Sequence, residues 1–231
     1  LLVLPDAKED MTAQNVAASM SGCAGQRCMA ASAMIGVGNV EHIIDKICAE
    51  AKKIIPGKNL GAVISKASKE RIEKYISEAE NDGAKILVDG RNTVVEGKEN
   101  GYYVGPTVID FVRPEMSVAK EEIFGPVISI MRTNTVDEAL AIENANPYGN
   151  AASVFTQNGG LARYIIDHAS AGMIGVNVGV PVPREPFSFG GWNESKFGVG
   201  DITGKSSIEF WTKLKKSTTK WNPEAGVNWM S

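Results

Sequence analysis

Two periodicities take turns along this chain, and their alternation constrains the fold more than any other feature. Val40, Ile43, Ile44, Ile47, Ala51 and Ile54 recur every three or four residues, which lines them up on one face of a helix. Pro56 and Gly57 end that helix. A second helix has Ser68 as its expected N-cap, Ile72, Tyr75, Ile76 and Ala79 as its apolar stripe, and Gly83 as its stop. Thr135 with Glu138 three residues on is a capping box, and it opens a helix running through Ala145. Residues 9–20 and 161–169 also read as helices. Between them lie apolar runs of strand length, at 1–4, 32–37, 85–88, 102–112, 127–132, 151–156 and 173–178. Residues 89–101 are polar and glycine-bearing, hence a surface loop. Strands and helices in this order imply an α/β domain with a mainly parallel sheet.

The last part of the chain breaks the rhythm. Pro181, Pro183 and Pro186 are followed by Gly190, Gly191, Gly198, Gly200 and Gly204, which predicts a string of turns. Residues 208–221 then mix Thr, Lys and aromatics in rough alternation, which predicts a strand. Such a strand either pairs across a subunit interface or stays an edge protected by Lys213, Lys215, Lys216 and Lys220.

Composition excludes several classes of function. At 231 residues the chain can bury one large core or two small ones. A net charge of -3 offers no basic face for nucleic acid. Three cysteines are an odd and small number for a secreted disulfide scaffold, which favours a reducing compartment. His42 and His168 lie far apart, and no Cys-x-x-Cys spacing supports a metal site. No apolar run reaches the roughly 18 residues that span a bilayer. The opening Leu-Leu-Val-Leu-Pro-Asp-Ala reads as a buried strand cut in mid-course, so a fragment of a longer protein is expected.

Cys28 stands out among the residues that could carry chemistry. It follows a glycine-broken loop and precedes a predicted strand, a junction that can leave a thiol in a cleft with backbone N–H groups beside it. Arg27 is its neighbour in sequence. A cationic environment would lower the thiol pKa from about 8.5 and raise the thiolate fraction. Cys48 falls on the apolar side of a predicted helix and reads as structural. Cys23, in the loop before Cys28, reads as a small packing residue.

Gly25-Gln26-Arg27-Cys28 resembles the catalytic-cysteine motif of the aldehyde dehydrogenase superfamily. Glu121-Glu122-Ile123-Phe124-Gly125-Pro126-Val127 matches a second motif of that superfamily. Phe189-Gly190-Gly191, followed by Ser195 and Gly198, is similar to its C-terminal signature. The three occur in the family's order, and the resemblance covers nearly the whole chain. Met29 and Ala30 after the cysteine, Gly175-Val176-Asn177-Val178, Pro181-Val182-Pro183 and Phe187-Ser188-Phe189 resemble the CoA-acylating methylmalonate-semialdehyde branch.

The resemblance implies a chemistry. Cys28 would attack the aldehyde carbon, hydride would pass to NAD, and a thioester would remain on Cys28. CoA would take the acyl group, and a malonate-type substrate would lose CO2 before that transfer, giving propionyl-CoA or acetyl-CoA. Glu122 would hydrogen-bond the nicotinamide ribose, and Phe124 would pack near the nicotinamide ring. Arg27 would bind the substrate carboxylate, and Phe189 would line the substrate entrance. The residue types suit these roles: a carboxylate can accept two hydrogen bonds from a diol, and a guanidinium forks onto a carboxylate.

The pattern also departs from the family. Asn193 stands where the family often has Lys, and Lys196 where it often has Gly. The dinucleotide-binding half, with the amide that completes the oxyanion hole, is expected upstream. On this reading residues 1–4 end a truncated cofactor-binding domain, 5–205 form the catalytic domain, and 206–231 form an oligomerisation strand and tail. A homodimer or homotetramer is implied, in bacterial cytoplasm or the mitochondrial matrix. Two alternatives remain open: an inactive fragment serving as an oligomerisation module, and a thiol-dependent acyl transferase or esterase working without NAD.

Overall fold

Along the central strands buried side chains point alternately to one face and the other, so the sheet must be covered on both sides. The computed structural model describes residues 1–221. The strands are β1 (Leu2–Val3), β2 (Ala33–Val37), β3 (Lys85–Val88), β4 (Thr107–Asp110), β5 (Val127–Thr133), β6 (Tyr148–Gly149), β7 (Ala151–Phe155), β8 (Met173–Val176) and β9 (Trp192–Asn193). The helices are α1 (Glu9–Ser21), α2 (Glu41–Lys52), α3 (Lys66–Asn81), α4 (Ser117–Lys120), α5 (Val136–Asn144), α6 (Gly159–His168) and α7 (Gly204–Trp211). Seven strands form one sheet in the order β3-β4-β5-β2-β1-β7-β8. All its pairings are parallel except β3 with β4.

Val3, Met34, Val108, Ile128, Ile130 and Phe155 face α1 and α2. Their strand neighbours Leu2, Ile35, Ile109, Met131 and Val154 face the opposite way, into a core shared with α3, α5 and α6. The result is three layers, helix–sheet–helix, of the kind a parallel sheet requires. Asp110 is buried on β4, and Arg132 on β5 meets both of its carboxylate oxygens, at 2.9 and 2.7 Å. The capping box of α5 forms as expected: Glu138 N–H donates to Thr135 Oγ1, and Glu138 Oε2 accepts from the Thr135 N–H.

The structure corrects four expectations. Ser65, not Ser68, caps α3: its Oγ accepts from Ser68 N–H, and Ser68 lies inside the first turn, where its own Oγ pairs with that of Ser65. The strand expected over 102–112 shrinks to Thr107–Asp110, because Gly105 N–H is taken by Gly90 and Pro106 has no N–H to give. Residues 1–4 do not close a separate unit. β1 sits in the middle of the sheet, between β2 and β7. The strand expected over 208–221 is also different: 208–211 complete α7, and residues 212–221 pair with no strand among the described residues. The rest of the expected tail, residues 222–231, lies outside the described residues.

No helix among the described residues is long and apolar enough to cross a membrane. No group of three or more His, Cys, Asp or Glu among them could hold a metal ion.

Candidate active site

The loop before Cys28 is built from residues in an unusual conformation. α1 stops at Ser21, and Cys23, Ala24 and Gly25 follow with φ of 52°, 55° and 71°. Three left-handed residues in a row reverse the chain tightly. For L-residues that conformation costs about 1–2 kcal/mol each, so the surroundings must hold it.

Two things hold it. Gln26 is the first: its Nε2 donates to the Cys23 carbonyl at 3.1 Å and the Ala62 carbonyl at 3.5 Å, and its Oε1 accepts from Ile64 N–H at 2.9 Å. Gly25 is the second. A Cβ placed there would lie 1.9 Å from the Gly125 carbonyl oxygen, so the two loops touch backbone to backbone. Only a glycine admits that approach. Gly125 in turn packs against buried Ile72 of α3.

This contact brings two sequence motifs together. Phe124 also has a left-handed φ, 55°, which turns the chain so that Gly125 can meet Gly25. Arg71 Nη1 donates to the Glu122 carbonyl at 3.1 Å and steadies the second loop. Gly25, Arg27, Ala30, Ala31, Ser32, Glu122, Phe124 and Gly125 line one narrow cleft of about 30 Å³. The Glu122 carboxylate is exposed and makes no hydrogen bond or ion pair among the described residues. Phe124 is 36% exposed. A free carboxylate beside an accessible ring fits a ribose diol and a flat aromatic ligand.

Of the five site residues expected from sequence, the cleft gathers Arg27, Glu122 and Phe124. Cys28 is exposed at the loop's end, next to Arg27, and does not line the cleft. Phe189 lies elsewhere, half-buried, with its N–H on Thr203 Oγ1 at 2.8 Å. Arg27 folds back: its Nε donates to Cys23 Sγ at 3.1 Å, and its guanidinium covers Gly22. Cys23 is therefore no packing residue. It is exposed, because the left-handed turn points it outward beneath Arg27. Cys48 is half-buried on α2, and burial pushes its thiol pKa up.

Sequence reasoning quoted Gln26 without giving it a role, and it missed Asn150. Asn150 lies between β6 and β7, and its Nδ2 donates to the Cys28 carbonyl at 3.1 Å from 122 residues away. No local pattern could reveal such a pair. The C-terminal signature closes over the same region: β9 pairs with β6, and Ser195 Oγ accepts from Gly149 N–H at 3.2 Å. The two departures in this signature find local partners. Asn193 donates to Ser170 Oγ at 2.8 Å, and Lys196 pairs with Asp201 at 3.3 Å.

A three-layer α/β domain with a mainly parallel sheet, an exposed cysteine at the end of a strained loop, and that loop seated against a second one bearing a carboxylate and an aromatic ring, defines the class of the fold. The particular family follows from comparison. The aldehyde dehydrogenase family model matches residues 1–217, and the chain belongs to that family. It is similar to the mitochondrial methylmalonate-semialdehyde/malonate-semialdehyde dehydrogenase (acylating) of Rattus norvegicus, with 42% identity over 96% of this chain and 43% of that protein. Among solved structures it resembles the methylmalonate-semialdehyde dehydrogenase of Oceanimonas doudoroffii, with 38% identity, a TM-score of 0.92, and coverage of 96% of this chain and 47% of that one. It also resembles the P. syringae indole-3-acetaldehyde dehydrogenase C302A mutant in complex with NAD+ and IAA, with 28% identity, a TM-score of 0.84, and coverage of 93% and 44%. The chain thus spans less than half the length of the relatives it matches.

Proposed function

We propose that this chain carries the thiol half of a CoA-acylating aldehyde dehydrogenase. The substrate is methylmalonate semialdehyde or malonate semialdehyde, its carboxylate leaves as CO2, and the product is propionyl-CoA or acetyl-CoA. The observation that carries the reading is the backbone contact of Gly25 with Gly125, which sets the Cys28 loop against Glu122 and Phe124. In this reading the Cys28 thiolate adds to the aldehyde carbon and holds the acyl group as a thioester, which a second thiol displaces readily. NAD, when bound, supplies the hydride acceptor. Glu122 accepts from its ribose hydroxyls, and Phe124 packs against its nicotinamide ring. Arg27 swings from Cys23 to the substrate carboxylate, and Phe189 lines the entrance. The names of the rat and Oceanimonas relatives support the substrate class, and the word acylating supports CoA. The compartment we assign is bacterial cytoplasm or mitochondrial matrix, the latter in line with the rat relative's name.

The test is NADH formation from either semialdehyde, with and without CoA, in this chain and in Cys28→Ala. The expected result is CoA-dependent turnover that falls about a thousandfold or more in the variant. Turnover equal in the two proteins would sink the role of Cys28. Hydrolysis of an activated ester at Cys28 without NAD, and no NADH formation, would favour a thiol acyl transferase instead.

A second reading has one observation behind it. α7 buries no side chain, and Ile208, Phe210 and Trp211 are 66%, 74% and 80% exposed. An apolar face of this kind marks an interaction surface. It suits a homodimer or homotetramer of the enzyme, and equally an inactive interaction module. Sedimentation of the chain as a monomer at every concentration would count against both assemblies.

A further inference from the structure

We infer that Asn150 is a positioning residue for Cys28, acting through the nucleophile's own carbonyl; this rests on Cys28 being the nucleophile. Ala30 N–H donates to the Arg27 carbonyl at 3.0 Å, so residues 27–30 form a four-residue turn with Cys28 and Met29 at its centre. The peptide joining the two central residues of such a turn is the one that flips between type I and type II geometry. That flip rotates ψ of the first central residue by about 150° and carries its carbonyl to the other face. Here the first central residue is Cys28. The state of this single peptide therefore sets which way the backbone beside the thiol points.

Asn150 holds that peptide in one state. Its Nδ2 lies 3.1 Å from the Cys28 carbonyl oxygen and 3.3 Å from Met29 Sδ. Among the described residues, no other hydrogen bond reaches Cys28 or Met29. The backbone that carries this amide is well anchored. Gly149 N–H is fixed on Ser195, Ala151 begins the pairing of β7 with β8, and Gly191 packs so closely that an added Cβ would sit 3.2 Å from Asn150 Cα. A trans peptide points its N–H opposite its carbonyl. By taking the carbonyl, Asn150 turns the Met29 N–H to the face away from itself, so the amide decides where that donor stands relative to the thiol.

The test is alkylation of Cys28 by iodoacetamide, followed by peptide mass spectrometry between about pH 6 and 10, the range over which a thiol titrates. It uses the whole chain and its variants, with Cys48 as the internal reference for folding. Asn150→Asp puts an anion that cannot donate beside the Cys28 carbonyl. Its expected effect is a rise in the pH midpoint of Cys28 alkylation by about half a unit or more. Asn150→Leu removes the donor without adding charge. Its expected effect is a change of about fivefold in the Cys28 rate, the scale of one lost hydrogen bond, with the Cys48 rate unmoved. Should Asn150→Leu expose Cys48 by unfolding, the smaller Asn150→Ser decides in its place. A midpoint unmoved in Asn150→Asp, with Cys28 rates in the apolar or serine variant within about twofold of the parent, overturns the proposal. Neither aldehyde nor NAD enters this assay, so a failure of the dehydrogenase reading shows separately, in NADH formation.

Discussion

The centre of the sheet and the rim that carries Cys28 are built by opposite means. At the centre, Val3, Met34, Ile128 and Phe155 are buried, their strands run in register, and backbone groups meet in ladders. At the rim, Cys23, Ala24 and Phe124 take left-handed conformations, and the side-chain amides of Gln26 and Asn150 do what a ladder does elsewhere. Burial is tolerant of exact shape and contributes most of the stability. The rim contributes little stability, yet it depends on single contacts. The two regions should therefore respond to mutation in opposite currencies: folding free energy at the centre, and thiol behaviour at the rim.

The largest separation should come from Phe155→Ala. Phe155 is fully buried beneath α1 and α2, and truncating a buried Phe costs about 3–5 kcal/mol. Denaturant unfolding should show that loss, while the Cys28 alkylation rate of the folded fraction stays at the parental value. A matching change in Cys28 would mean that rim and core are one unit, and the contrast would fail. Gly25→Ala should add the thiol response that Phe155→Ala lacks. The added Cβ meets the backbone of Gly125 and Pro126, which cannot give way cheaply, at a φ that disfavours alanine. We expect a loss of about 1–3 kcal/mol together with an altered Cys28 rate, because the two loops must separate. An alanine variant with parental stability and parental Cys28 reactivity would show that the loops do not rely on this contact.

The same contrast explains what could be read from the sequence. The core was legible because helix and strand periods are local, and a run such as Val40, Ile43, Ile44, Ile47 and Ala51 declares its buried face directly. The capping box at Thr135 was legible for the same reason. Arg27, Glu122 and Phe124 came from resemblance, and the fold does bring them to one cleft. What stayed hidden was non-local or conformational. Asn150 reaches Cys28 from a distant segment, and three left-handed residues from Cys23 leave no mark in composition. The strand expected over 208–221 starts too early, because Ile208 to Trp211 belong to α7 and alternation over so short a run does not tell a strand from the end of a helix. Ile208, Phe210 and Trp211 instead present their apolar groups from a helix that touches no core.

The smallest effect tests the seam between the two regions. Glu143, near the end of α5, is half-buried and accepts the Ser170 N–H at 3.0 Å, and Ser170 in turn holds Asn193 of the C-terminal signature. Burial raises the Glu143 pKa, and the hydrogen bond from Ser170 only partly offsets it. A raised folded-state pKa means that the folded chain binds the proton more tightly than the unfolded one. The contribution of Glu143 to stability is thus fully present below the ordinary glutamate range, about pH 4, and is lost as pH rises through its elevated folded pKa. Glu143→Gln keeps an oxygen to accept from Ser170 and is neutral at every pH. It should unfold at a slightly higher temperature than the parent at neutral pH, and the difference should vanish on acidification. A variant less stable than the parent at neutral pH would mean that the charge itself, held by Ser170, fastens the rim to the body.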